Sequence, residues 1–361
     1  MNKSILTTLI FFGIPFISYA SIDPGNQAIT CPHGYTCTPI SVASTTGQFE
    51  KIFYMSSAYA TSSLNDLQTN VSTGDIIAPQ MYTVDANLEA TGSIPTQIID
   101  IAKTRGIKIM PLITNNSFSQ TLIHDLLAST TAQDSVISYL ISEAQNEGYI
   151  GWQFDFEHMV ATDSEPFSTF VEKSATALHS HNLILSVATI MRVNDDASTN
   201  FYKNWSGAFD YAQIAKSSDF ISIMTYDDPD SVGPTASIIY DENVLKYLYD
   251  KVPPDKISLG IPFFYYGWDE TYPPGEIVRY AGAYSRLQYV KLNYEPQEYY
   301  SDILGSPYLT YQLDGHQYVS FFDNAKSIQA KLDLVSSRHL RGFSAWVLGM
   351  ENPDVWNAIN E

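Results

Sequence analysis

Two hydrophobic patterns alternate along this chain. Short runs rich in β-branched and aromatic residues end in polar or small residues, and stretches with helical spacing separate them. Eight such runs can be read: 51–56, 75–82, 107–113, 149–156, 183–189, 219–225, 257–263 and 342–348. Regular strand-helix alternation predicts parallel pairing, and eight units over about 300 residues predict an α/β fold of the (β/α)8 TIM barrel type. An open, doubly wound sheet is the alternative. A nucleotide would be suggested there by G-x-G-x-x-G or G-x-x-x-x-G-K-[ST], and the sequence contains neither.

The rhythm breaks once, between the seventh and eighth runs. That interval is long enough for a small α+β insertion, placed at about 269–322, followed by a helix over 324–336. Within it, 307–322 alternates like a hairpin around Asp314-Gly315, a tight-turn signal.

The chain has 361 residues with 45% hydrophobic and 16% charged residues, a globular composition that excludes extensive disorder. Its 39 acidic against 19 basic residues give a formal charge of -20. That field repels polyphosphate, so nucleic acid is not expected as a partner. The 25 tyrosines, 18 phenylalanines and 5 tryptophans suit a neutral ligand with apolar faces, such as a sugar, although most are expected in the core.

Residues 1–20 read as a signal peptide: Lys3, an apolar run from Ile5 to Ile17, and small residues at Ser18 and Ala20. The protein is therefore expected to be secreted or periplasmic, with no membrane span after processing. Cys31 and Cys37, the only cysteines, would then close a disulfide loop in an N-terminal segment, 21–50, ahead of the barrel at 51–361. A zinc site with His33 is the weaker reading, since three ligands fall short of four. No histidine spacing suggests a metal, no cofactor is expected, and the protein is expected to act as a monomer.

The densest chemistry lies in Ile150-Gly151-Trp152-Gln153-Phe154-Asp155-Phe156-Glu157. Strand alternation sends Gln153, Asp155 and Glu157 to one face and the three aromatics to the other. In a barrel the aromatics would pack under the helices and the polar set would line the interior toward the C-terminal mouth, where barrel active sites sit. Inward polar groups are costly unless bonded or used. Tyr82 and Asn115, at strand ends, are candidate sugar contacts at the same rim, as are Arg192 and Tyr266. His158 reads as a packing or surface residue.

This string resembles the D-G-x-D-x-D-x-E signature of glycoside hydrolase family 18, the chitinase-like enzymes, with Asp155 and Glu157 on its last two acids. Ile223-Met224-Thr225-Tyr226-Asp227 resembles the family's Met-x-Tyr-Asp. Gly260-Ile261-Pro262, with Tyr265, Tyr266, Gly267 and Trp268, resembles its seventh strand, and Arg341 to Gly349 its eighth, closest to the bacterial spore-cortex-lytic N-acetylglucosaminidase branch. The resemblance implies a retaining, substrate-assisted cleavage of β-linked N-acetylglucosamine-containing glycans: chitin oligomers, peptidoglycan or the N-glycan core. Glu157 would be the acid and base, with Asp155 and Tyr226 holding the acetamide. Gln153, Asp227, Met224, Trp346 and Tyr82 would bind substrate. A catalytically silent sugar-binding lectin is the alternative.

Two positions depart from the family pattern. Ile150 replaces the first acid and Gln153 the second, so Gln153 cannot share a proton with Asp155. Its amide is expected to donate to Asp155 and keep that carboxylate oriented.

Overall fold

The computed structural model describes residues 49–228, 232–272 and 277–360. The expected signal peptide and the Cys31–Cys37 loop lie outside the described residues. Eight parallel strands form the core: β1 Glu50–Ser56, β2 Ile76–Val84, β3 Leu112–Asn115, β4 Gly151–Asp155, β5 Ile184–Ile190, β6 Phe220–Met224, β7 Ile257–Pro262 and β8 Gly342–Trp346. Each pairs with the next, and β1 pairs with both β2 and β8, so the sheet closes into a (β/α)8 barrel. Helices follow every strand, from Ala60–Thr69 after β1 to Val355–Ile359 after β8.

The third predicted strand is split. Lys108–Ile109 pairs with β2, and β3 begins only after Pro111. Proline has no N–H for the ladder, which accounts for the break. The helix after the insertion, Ala325–Ser337, starts on a capping box. Asn324 Oδ1 accepts the Ser327 N–H at 3.0 Å while Ser327 Oγ accepts the Asn324 N–H at 2.9 Å.

Between β7 and β8 stands a second, antiparallel sheet with spatial order Val278–Gly282, Tyr265–Asp269, His316–Phe321, Ser306–Leu313 and Gln297–Ser301, plus the helix Tyr284–Asn293. It begins at Tyr265, earlier than its expected start, because the aromatic run after β7 leaves the barrel at once. The Asp314-Gly315 turn joins its hairpin, with both residues at positive φ and Leu313 opposite His316. One face buries Tyr266, Trp268, Val319 and Phe321 against the barrel, and the Trp268 indole N–H donates to the Gly233 carbonyl at 2.9 Å. On the other face, Tyr284 and Leu287 of the helix cover Tyr265, Leu309 and Phe322.

Barrel closure leaves no space at Gly342. A Cβ there would sit 1.9 Å from the Glu50 carbonyl oxygen of β1. Just below, Arg341 clasps Glu50 with two hydrogen bonds of 2.6 and 3.1 Å. A Gly342→Ala variant is expected to lose about 1–3 kcal/mol of stability, the usual cost of overpacking. Urea unfolding measures this, and an unchanged midpoint would mean that the β1–β8 seam tolerates separation.

Candidate active site

Alternation along β4 is as the residues predict. Trp152, Phe154 and Phe156 are fully buried on the outer face. The Trp152 indole N–H donates to the Leu140 carbonyl at 2.9 Å, Phe154 stacks on Phe170 at 5.3 Å, and Phe156 meets Phe167 edge-on. This packing against helices Thr130–Glu147 and Ser164–His179 fixes the strand and turns its polar residues inward.

Gln153 lies at the bottom of the inward set with 0% exposure. Its Oε1 accepts from the Tyr54 hydroxyl at 2.7 Å, and its Nε2 donates to Ser186 Oγ at 2.8 Å and Ser222 Oγ at 2.9 Å. Two expectations are thereby corrected. Gln153 does not bind substrate, since it is sealed in and its amide hydrogens are spent. It does not donate to Asp155 either, because the serines beneath the mouth take both N–H bonds. The amide that reaches Asp155 comes from Gln80 on β2, whose Nε2 donates to Asp155 Oδ2 at 3.0 Å.

Asp155 ends β4 and is 3% exposed. Burial pushes its carboxyl up to about 6, against the lowering effect of the Gln80 hydrogen bond. Glu157, two residues on, is half-buried. Burial raises its carboxyl well above the usual range, and the charges of Asp155 and Asp227 raise it further. Its backbone is clamped by Asn115 at the end of β3. Asn115 Oδ1 accepts the Glu157 N–H at 3.1 Å, and Asn115 Nδ2 donates to the Glu157 carbonyl at 3.0 Å. His158 then takes a positive φ of 55° and stacks on Trp205 at 4.6 Å, the packing role expected of it.

β6 brings Tyr226 and Asp227 to the same mouth. The Tyr226 hydroxyl feels the charges of Asp155, Glu157 and Asp227, but burial is the main cause that holds it protonated. Gly260 on β7 makes room for this ring: a Cβ there would meet Ile223 O at 2.5 Å and Tyr226 Cε1 at 3.0 Å. Asp227 adopts a positive φ of 61° and accepts a hydrogen bond from Tyr266, the first strand of the second sheet. Burial raises its carboxyl, and the Tyr266 bond and the Arg279 charge oppose the rise. Met224, half-buried, ends β6. Trp346 ends β8 half-buried, its ring 5.4 Å from that of Tyr54.

Tyr82 is not at the site. Its hydroxyl donates to Glu143 at 2.8 Å and lies 2.9 Å from the Tyr149 hydroxyl, and its ring meets Trp152 edge-on at 4.8 Å on the outer side of the barrel. An irregularity in the β2–β3 register between Gln80 and Tyr82 shifts the alternation, so Gln80 points in and Tyr82 out. Arg192, just past β5, is buried and its guanidinium is already engaged: Nη2 donates to the Phe209 carbonyl at 2.7 Å, and the group lies 4.7 Å from the Tyr211 ring centre. Tyr266 reaches the site through Asp227. Gln80 was missed by sequence reading because it is an ordinary polar residue whose partner lies 75 positions away. Among the described residues no cluster of histidine, cysteine and acidic side chains is placed to hold a metal.

The family profile "Glycosyl hydrolases family 18" matches residues 36–351. The uncharacterized glycosylase YvbX of Bacillus subtilis is 26% identical over 310 residues, covering 83% of this chain and 88% of that protein. The cortical fragment-lytic enzyme of B. subtilis is 25% identical over 276 residues, 74% of this chain but only 62% of that enzyme's length. Among solved structures, a chitinase from Chromobacterium violaceum superposes with a TM-score of 0.76 at 26% identity, covering 87% of this chain and 98% of that one.

Two outcomes are expected. In the unfolded chain Asp155 releases its proton near pH 4 and in the folded protein near pH 6, so the folded state holds an extra proton between these values and stability falls as pH rises through them. Asp155→Asn removes that loss. Its melting point is expected to match the parent near pH 4 and exceed it above pH 7, by the equivalent of about 3 kcal/mol; a pH-independent difference would contradict the assignment. Asn115→Ala, which strips both hydrogen bonds from the Glu157 backbone, is expected to cost about 2 kcal/mol in urea unfolding, and an unchanged midpoint would show the clamp to be dispensable.

Proposed function

The chain belongs to the family 18 glycosyl hydrolases and is a glycosidase, and from that premise we propose that it cleaves β-linked N-acetylglucosamine-containing glycans by a retaining, substrate-assisted mechanism. The observation that carries the proposal is the gathering of Asp155, Glu157, Tyr226 and Asp227 at one barrel mouth, where burial and the charges of the two other acids raise the Glu157 carboxyl.

In this reading Glu157 donates its proton to the glycosidic oxygen as the bond to the leaving sugar breaks, and later takes one from the incoming water. The sugar's acetamido oxygen is the intramolecular nucleophile, which is why a second nucleophilic carboxylate is not needed. Asp155 accepts from the acetamide N–H and favours the charge that develops on that group, while the Tyr226 hydroxyl donates to its oxygen. Asp227, fixed by Tyr266, bonds a sugar hydroxyl. The exposed part of Trp346 is the apolar surface under the sugar, and Met224 lines the pocket beside it.

One relative is named for cortical fragments and another for chitin, so both kinds of polymer belong in the assay. The pattern of residues 1–20 supports export to a secreted or periplasmic destination, and in that compartment Cys31 and Cys37 would be oxidised to a disulfide.

Mass spectrometry of products after incubation with chitooligosaccharides, peptidoglycan and a high-mannose glycopeptide tests the proposal. Cleavage of one substrate with retained anomeric configuration is expected, and Glu157→Gln is expected to lower the rate by about 10²- to 10⁴-fold. The kcat/KM profile is expected to rise through about pH 6 as Asp155 ionises. Binding of sugar without cleavage of any of the three would favour the lectin reading.

A further inference from the structure

We propose that Gln80 is a positioning residue for the reaction: its side-chain amide holds Asp155 ionised and in one orientation, a task that the residue two positions earlier on β4 cannot perform here. The inference rests on the reading of Asp155 as the group that holds the substrate's acetamide.

Three observations carry it. First, the Gln80 amide nitrogen lies 3.0 Å from Asp155 Oδ2 and is the one side-chain donor to that carboxylate among the described residues. Second, the nearest inward neighbour on the same strand is already committed. Gln153 spends both N–H bonds on Ser186 and Ser222 and its oxygen on Tyr54, so it can neither donate to Asp155 nor exchange a proton with it. Third, the backbone of β2 is built to aim Gln80 inward. Gln80 sits opposite Ser56 of β1 and Leu112 of β3, and the register irregularity that follows sends Tyr82 to the outer wall. Without it, alternation would send the side chains of Gln80 and Tyr82 to the same face of the strand.

The chemistry fits an amide better than an acid. The groups that face Asp155 are Glu157 just past its own strand, Tyr54 on β1 and Tyr226 just past β6, with Asp227 beside Glu157 and Tyr226, and none of them is a cation. A carboxylate surrounded by acids and phenols is held ionised only by donors, and a neutral amide donates at every pH. A hydrogen bond to a charged acceptor is about twice as strong as a neutral one, so the Gln80 contact weakens when Asp155 takes a proton. Gln80 is itself half-buried, which leaves its second N–H to the cleft.

The test has an arm that needs no activity. Melting points of the parent, Gln80→Leu, Asp155→Asn and the double variant are compared at pH 4.5 and pH 8. Gln80→Leu is expected to lower the melting point about twice as much at pH 8 as at pH 4.5, and the Asp155→Asn background is expected to remove that difference. An effect of Gln80→Leu that is the same at both pH values in both backgrounds overturns the proposal.

The second arm is kinetic, on whichever N-acetylglucosamine oligomer the parent cleaves. Gln80→Leu is expected to move the acidic limb of kcat/KM up by about one pH unit and to lower kcat about tenfold with KM within twofold. Gln80→Glu can donate only while protonated, so it is expected to work best at acidic pH and to fail as pH rises. Loss confined to KM, with the limb in place, would make Gln80 a plain sugar contact and overturn its positioning role. Failure of the glycosidase reading is separate: it shows as a parent no more active than Glu157→Gln, and the melting-point arm still decides the matter of Gln80.

Discussion

Polar groups inside a closed barrel have no water to turn to, so each must be answered by another side chain. Here the answer is a neutral layer in which Gln153 joins Tyr54, Ser186 and Ser222 through three hydrogen bonds spanning β1, β4, β5 and β6. Size explains who sits where: two long side chains fill the space that two serines leave open. The acids at the mouth rest on this floor. Because the floor is uncharged, the titratable acids of the site are gathered at the mouth, where burial first and the charges of Asp155 and Asp227 second raise the Glu157 carboxyl.

The floor also separates two duties that adjacent acids on one strand could otherwise share. Support from below is Gln153's part, and hydrogen bonding from the side comes from Gln80 on a different strand. Asn115 adds a third element by gripping the backbone of Glu157 through both of its amide atoms. Side chains from β2, β3, β4 and β6 thus converge on a small volume, and each is held by a contact that is itself buried or half-buried.

Much of this was legible in the sequence, for a physical reason. Period-two alternation is a local property, so the outward Trp152, Phe154 and Phe156 and the inward Gln153 and Asp155 follow from the β4 string alone. The eight-unit rhythm follows from composition of the runs in the same way, and the Asp314-Gly315 turn from its dipeptide. What escaped reading depends on pairs distant in the chain. Tyr82 was misplaced because one irregular step in the register reverses the faces of a strand and leaves no mark in the residue types. Gln153 was given the wrong partner because two serines on other strands compete for its amide. Asn115 was seen only as a rim residue, since its work is done on backbone atoms.

The second sheet is more than an ornament on the barrel. Tyr266, on its first strand, donates to Asp227 at the mouth, and Trp268 two residues later is tied to the Gly233 carbonyl in the loop after β6. Any attempt to pare this protein down to a minimal barrel, or to exchange its insertion for another as a module, would remove the hydrogen-bond donor to Asp227 at the barrel mouth along with the loop. The modular seam therefore does not coincide with the edge of the insertion: a transferable unit would have to carry the loop after β6 and the whole excursion between β7 and β8 together.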